Sequence, residues 1–269
     1  MAAASEGLAS EGLAIHDFDG PRSLAAHDLP DGRVHLWRVG IDRLPMDPGE
    51  LFALLSADER ERARAMASET CRRRYVAVRG LLRLLLAAHT GLAPERIGFA
   101  YNPHGKPSLS PAASSNDEGP RACAAPLGFG IAHSGRLALL AIRAGGEVGV
   151  DVEYERAAAR EAEIAARFFS SEEAGTVRER SGPERRIAFY RLWTRKEAYV
   201  KARGRGLAVS FPRFTVSADA CARLLADEED PAGPDEWLLA DVPVPVPFYA
   251  ACAWNRARSR RQRGIAMDS

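Results

Sequence analysis

The stretch Glu147-Val148-Gly149-Val150-Asp151-Val152-Glu153-Tyr154 decides how the chain reads. Valines alternate with small or acidic residues, the period-2 pattern of a β-strand, in which successive side chains face opposite ways. Val148, Val150 and Val152 therefore point into a core, while Asp151 and Glu153 share the other face, two residues apart. Two carboxylates on one side of a rigid strand repel unless a cation lies between them, and hard oxygen ligands of this kind suit magnesium or manganese. Taken alone, such a pair also fits the solvated face of an edge strand.

Further along, Ile187 to Ala202 reads as a helix with Trp193-Thr194-Arg195-Lys196-Glu197-Ala198-Tyr199-Val200-Lys201 at its heart. Glu197 and Lys201 stand i,i+4 on one face of it, with Trp193 a turn earlier. If that face meets the strand, a third carboxylate joins Asp151 and Glu153, and a lysine stands beside the cation. In isolation the same spacing is that of an ordinary exposed helix pair worth about 0.3–0.5 kcal/mol.

Taken together, Gly149-Val150-Asp151-Val152-Glu153 and Trp193-Thr194-Arg195-Lys196-Glu197-Ala198, with Lys201 following, resemble the paired signatures of the 4'-phosphopantetheinyl transferases of the larger, two-lobed (Sfp) type. Between them, Arg167-Phe168-Phe169-Ser170-Ser171-Glu172-Glu173 resembles the family's link from strand to helix. Upstream, Gly105-Lys106-Pro107 and Ile131-Ala132-His133-Ser134 match its two other motifs in order, so that the resemblance covers roughly residues 55 to 210. The family's Ser-His-Ser motif usually follows Asn-Ile or Asn-Leu; here Gly130 and Ala132 replace the Asn and the first Ser, which removes one hydroxyl contact to the cofactor.

The resemblance implies an α+β fold of two similar, pseudo-duplicated α/β lobes, each a small, mainly antiparallel sheet packed on a long helix, with the site between the lobes. It implies a reaction in which coenzyme A gives its 4'-phosphopantetheine to a serine of an apo acyl or peptidyl carrier protein, releasing adenosine 3',5'-bisphosphate. In that reading Asp151, Glu153 and Glu197 hold magnesium, or manganese in its place. Glu197 accepts the serine proton, and Lys201 neutralises or protonates the leaving oxygen. Arg62, Arg74, Lys106, His133, Ser134, Lys196 and Lys201 bind coenzyme A, Arg74 matching the family's phosphate-binding arginine by its position relative to Arg83. Glu59 stands where some members carry another cation. An acidic carrier helix would meet the arginines around Arg167, Arg178, Arg185 and Arg186. Read from the residues alone, a magnesium phosphoesterase and a binding module without turnover remain as alternatives, and the presence of Asp151, Glu153, Glu197 and Lys201 together argues against the second.

With 269 residues the chain is long enough for one large domain or two modest ones. Lys+Arg number 37 against 36 Asp+Glu, a net charge of +1, so no bulk cationic field argues for nucleic-acid binding. The longest apolar run, Leu81 to Ala88, is interrupted by Arg83 and is too short to cross a bilayer. The first thirty residues lack the pattern of a signal peptide. Cys71, Cys123, Cys221 and Cys252 show neither metal spacing nor a disulfide framework, which points to the reducing cytoplasm; a monomer is expected.

The expected organisation is a flexible tail over 1–30, an N-terminal lobe over 31–145 with a mobile loop at 110–126, a C-terminal lobe over 146–256, and a disordered tail over 257–269. Arg33 to Val39 reads as the first strand, and Leu51 to Leu86 as two helices, the second presenting Tyr75, Val78, Leu82 and Leu85 on one face. Leu127 to Ile131 and Leu137 to Ile142 read as a hairpin turning at His133-Ser134-Gly135. Ser171 is expected to cap a helix, and Gly204 to Gly206 to stop the long one. Arg213 to Ser217, Trp237 to Asp241 and Phe248 to Trp254 are the remaining strands expected.

Overall fold

The computed structural model describes residues 12–24, 29, 32–110, 126–156, 160–206 and 209–256. Most of the 110–126 loop and the whole 257–269 segment lie outside these residues. The first half contains β1 (Leu13–Asp17), β2 (Val34–Gly40), α1 (Pro48–Ala53), α2 (Ala57–Ala65), α3 (Glu69–Thr90), β3 (Phe99–Tyr101), β4 (Pro107–Leu109), β5 (Leu127–Ser134) and β6 (Leu137–Ala144). The second half contains β7 (Val148–Tyr154), α4 (Glu161–Phe168), α5 (Ser171–Arg178), α6 (Gly182–Arg203), β8 (Phe214–Val216), β9 (Leu224–Asp227), the short α7 (Gly233–Glu236), β10 (Trp237–Asp241) and β11 (Phe248–Asn255).

Alternation along the strands explains how these elements stack. The N-terminal sheet runs β1-β2-β6-β5, antiparallel except for the parallel β1–β2 edge, and the C-terminal sheet runs β10-β11-β7, all antiparallel. All eight residues of β6 are buried because both of its faces are covered. Ala138, Leu140 and Ile142 meet Val78, Leu81, Leu82 and Leu85 of α3 in one core. Leu139 and Ala141, with Val34 and Leu36, meet Val148, Val150, Val152, Ala250, Cys252 and Trp254 of the other sheet in a second. The far face of the C-terminal sheet, with Leu239, Ala251 and Ala253, is covered by Leu192, Ala198, Tyr199 and Ala202 of α6. The order of layers is helix, sheet, sheet, helix. Each buried aliphatic side chain contributes roughly 1.5–3 kcal/mol through the apolar area it removes from water.

The two halves repeat one plan. Both α3 and α6 are 22 residues long, and both stop at a left-handed glycine, Gly91 at φ 74° and Gly204 at φ 65°. This is the α+β, two-lobed arrangement the sequence suggests.

Local readings differ in four places. Residues 13–17, read as part of a flexible tail, form an edge strand whose order comes from parallel pairing with Val34–Arg38, a partner that its own Ala-rich surroundings do not advertise. The region read as two helices holds three: Asp47 caps α1 with Pro48 at its first position, and Ser68 restarts the chain as α3. The cap of α5 is Ser170 and not Ser171: its hydroxyl accepts from the Glu173 N–H while the Glu173 carboxylate accepts from the Ser170 N–H, a capping box. Finally, Leu224–Asp227 is a short strand paired with β8 that had no sequence signal of its own. Among the described residues no helix is long and apolar enough to cross a membrane.

Candidate active site

Because Val150 and Val152 face the inter-sheet core, Asp151 and Glu153 leave β7 on the face that looks toward α6. Gly149 shares that face. A Cβ there would lie 2.2 Å from the Ala202 nitrogen and 2.3 Å from the Ala198 oxygen, so only glycine lets the last turns of α6 sit directly on the strand. This seating brings Lys201 onto Asp151, its Nζ donating to Oδ1 at 2.5 Å. Asp151 is 3% exposed, and its second oxygen, Oδ2, is buried with no hydrogen-bond partner.

Three acids share this field. Burial raises the Asp151 carboxyl above its ordinary range, opposed by Lys201. Burial and then the Asp151 charge raise Glu153, opposed by the Ser134 hydroxyl, Lys201 and Arg156. Burial, then Asp151, raises Glu197; Lys201 counteracts this and Glu153 adds to it. The site therefore holds more negative charge than its own lysine offsets, in a place where desolvation makes charge costly. Among the described residues no group of three or more His, Cys, Asp or Glu side chains is placed to hold a metal ion by itself. What suits a hard divalent cation is the all-oxygen donor chemistry and the orphaned, buried Oδ2 of Asp151.

The tip of the β5–β6 hairpin closes one side. Ser134 Oγ accepts from the Tyr154 N–H at 3.0 Å and donates to Glu153 Oε2 at 3.3 Å, so this hydroxyl, read as a cofactor contact, is engaged with β7. His133 next to it is exposed, and its pKa is lowered by partial desolvation and by the like charges of Arg74 and Lys201. Arg74, from α3, approaches Asp42 at 3.5 Å and leaves its Nε buried without a partner. A cavity beside it is lined by Asp42, Met46, Thr70 and Arg73. The structure thus gathers Asp151, Glu153, Glu197, Lys201, Ser134, His133 and Arg74, drawn from both lobes.

It does not gather all the expected residues. Arg62 is exposed on α2. Lys196, read as a cofactor ligand, has no exposure at all: its Nζ donates to Glu173 at 2.7 Å and to the Phe214 carbonyl at 2.5 Å, 4.0 Å above the Phe214 ring. Burial brings its pKa down to about 8, against the pull of Glu173. It belongs to the packing between α6, α5 and β8. Trp193 stacks on Phe189 and packs edge-on or tilted against Phe168, Phe169 and Phe211. Glu59, where some relatives carry a cation, is 2% exposed and accepts from both Arg79 and Arg83. Lys106 is held by Glu147 and by the carbonyl of Ala202 at the end of α6. Sequence reasoning missed Glu147, Asn102, Asp42 and the role of Gly149; only the last had a signal, a glycine inside an otherwise β-branched strand.

A family model described as the 4'-phosphopantetheinyl transferase superfamily matches residues 147–252. The chain is 37% identical over 180 residues to the 4'-phosphopantetheinyl transferase HetI of a Nostoc species, covering 67% of this chain and 72% of that protein. It is 34% identical over 233 residues to a putative 4'-phosphopantetheinyl transferase of Synechocystis, covering 84% of this chain and 88% of the other. Against the transferase Sfp of Bacillus subtilis the identity is 27% over 185 residues, with coverage of 68% and 76%.

Proposed function

The chain belongs to the 4'-phosphopantetheinyl transferase superfamily, and from that premise we propose how its cleft performs the transfer. The enzyme moves 4'-phosphopantetheine from coenzyme A to a carrier protein. The carrier's serine oxygen attacks the phosphorus that bears the pantetheine arm, the bond to the bridging oxygen breaks, and adenosine 3',5'-bisphosphate leaves. Positioning and charge neutralisation supply most of the acceleration in such reactions.

Asp151, Glu153 and Glu197 would hold magnesium or manganese, which when bound draws negative charge from the pyrophosphate of coenzyme A. Glu197 takes the proton from the serine hydroxyl, one helical turn from Lys201 on the same face of α6. Lys201, already on the site through Asp151, neutralises the leaving phosphate oxygen. Arg74 and His133 receive the 3'-phosphate, with Arg62 as an outlying cation, a role suited to guanidinium geometry. For the carrier's acidic helix, Arg167 and Arg178 are exposed, whereas Arg186 is paired with Glu155 at 3.0 Å and Arg185 donates to the Arg180 carbonyl. A reducing cytoplasm accords with the sparse cysteines.

The observation that carries this reading is the Lys201–Asp151 contact beside a buried Asp151 oxygen that has no partner. The test is to incubate an apo carrier with coenzyme A, magnesium and the enzyme. A mass gain of one phosphopantetheine is expected, and it should vanish in a folded Glu197→Gln variant. Phosphate release without any carrier would indicate a phosphoesterase instead, and full transfer by Glu197→Gln would remove Glu197 from its role. A panel of fatty-acid, polyketide and nonribosomal-peptide carriers then identifies which are served.

A further inference from the structure

The last carbonyls of an α-helix have no partner within the helix and must find one outside it. At the end of α6 they are met by the β3–β4 turn of the other lobe. Asn102 Nδ2 donates to the Gly204 carbonyl at 2.5 Å, and Lys106 Nζ donates to the Ala202 carbonyl at 2.6 Å. The same ammonium pairs with Glu147, the residue before β7. One turn therefore grips both elements that build the acid site, the end of α6 and the start of β7.

The turn is shaped for this. Asn102 Oδ1 accepts from the N–H groups of His104 and Lys106, at 2.9 Å each, and the Asn102 N–H reaches the Lys106 carbonyl at 3.1 Å, so both donors leave a braced loop. The Lys106 stem lies across the helix cap: a Cβ on Gly204 would be 2.6 Å from its Cδ. A positive charge at a helix C-terminus is also favoured by the helix dipole. Lys201 precedes Ala202 directly, and Glu197 stands one turn earlier, so whatever holds this helix end also holds the two groups that act on the serine and the leaving oxygen.

We propose that Asn102 and Lys106 are positioning residues, a latch from the N-terminal lobe that sets the placement of Lys201 and Glu197, and that Lys106 is not a ligand of the nucleotide 3'-phosphate. To reach a phosphate, the ammonium would have to leave both Glu147 and the Ala202 carbonyl. The proposal rests on the transferase reading for its kinetic half and on geometry alone for the rest.

The experiment compares Lys106→Met with the parent enzyme, using coenzyme A and 3'-dephospho-coenzyme A as donors with one apo carrier. A loosened helix end should lower kcat about 10-fold or more for both donors, since misplacement of about 1 Å can cost 10²-fold. The ratio of the two kcat/KM values should stay within about twofold of the parent, because nothing that reads the 3'-phosphate is lost. Hydrogen exchange should quicken at the Gly204 amide, which is bonded to the Val200 carbonyl, and through 202–206. Asn102→Ala should show the same exchange change and the same direction in kcat, and Lys106→Arg should recover part of both. The proposal is overturned if Lys106→Met keeps its kcat and raises KM for coenzyme A while dephospho-coenzyme A is unaffected, or if exchange at the helix end is unchanged. If the parent protein transfers no phosphopantetheine, the transferase reading fails, and the exchange result still decides the latch.

Discussion

Replacing Gly149 by alanine should separate the strand from the helix on which the chemistry depends. The new Cβ would meet the Ala202 nitrogen at 2.2 Å and the Ala198 oxygen at 2.3 Å, whereas ordinary contact begins near 3.4 Å, so one backbone must retreat by about 1.2 Å. Neither neighbour is a flexible side-chain tip; both are backbone atoms of α6. Overpacking of this kind costs about 1–3 kcal/mol, and at this chain length each kcal/mol lowers Tm by roughly 2–4 °C. A Tm loss of about 2–12 °C is therefore expected. The same displacement carries Glu197 and Lys201 away from Asp151 and should lower kcat about 10²-fold. Calorimetry and a mass-spectrometric transfer assay measure the two effects on one preparation. Gly175→Ala is the control: its Cβ would meet only Arg178 Nη2, at 3.9 Å, and exchanging a helical glycine for alanine should add up to about 1 kcal/mol. If Gly149→Ala kept both the Tm and the kcat of the parent, the close seating of α6 on β7 would not be what assembles the site.

Asp151→Asn and Glu153→Gln should each abolish transfer, by about 10²-fold or more, yet leave Tm unchanged or higher, because burial disfavours the ionised form of both acids. A large Tm loss in either variant would contradict that account. Lys196→Ala should instead unfold the protein by about 3–5 kcal/mol, leaving the Glu173 carboxylate buried and unpaired, with KM for coenzyme A unchanged in the folded enzyme at low temperature; a raised KM with stability intact would return Lys196 to a cofactor role. Since the His133 pKa is lowered in the fold, the unfolded chain holds more protons between that value and the ordinary 6.5, and stability from this group rises with pH across the window. His133→Gln should flatten that rise in a series of melts, and an unchanged slope would show that another group is responsible.

The placement of the acidic residues on shared faces was legible because their spacing is local. Asp151 and Glu153 declare a shared face through the valines between them, and Glu197 and Lys201 through the helical repeat. The β5–β6 hairpin and the glycine stop of α6 were legible for the same reason, although β5 runs on through His133 and Ser134 and the turn falls at Gly135 and Arg136. For Lys196 and Lys106 the sequence shows a charge but not the counter-group that holds it. Glu173 lies 23 residues from Lys196, and the Ala202 carbonyl 96 from Lys106. Motif position points both toward the cofactor, while in the structure Lys196 is buried beside the Phe214 ring and Lys106 donates to the end of α6. Strand β1 went unseen because its order is lent by β2, a neighbour some twenty residues downstream whose pull leaves no mark on Leu13-Ala14-Ile15-His16-Asp17 itself.

The two sheets lie back to back over a single interior of Val34, Leu36, Leu139, Val150, Val152, Cys252 and Trp254. Halves joined in this way cannot swing apart as jaws without wetting that interior. Exchange of donor and product should then depend on side chains and turns at the rim, whose excursions take nanoseconds to microseconds. Severing the chain between β6 and β7 should yield two insoluble fragments and not two working modules, because each would carry half of that interior uncovered.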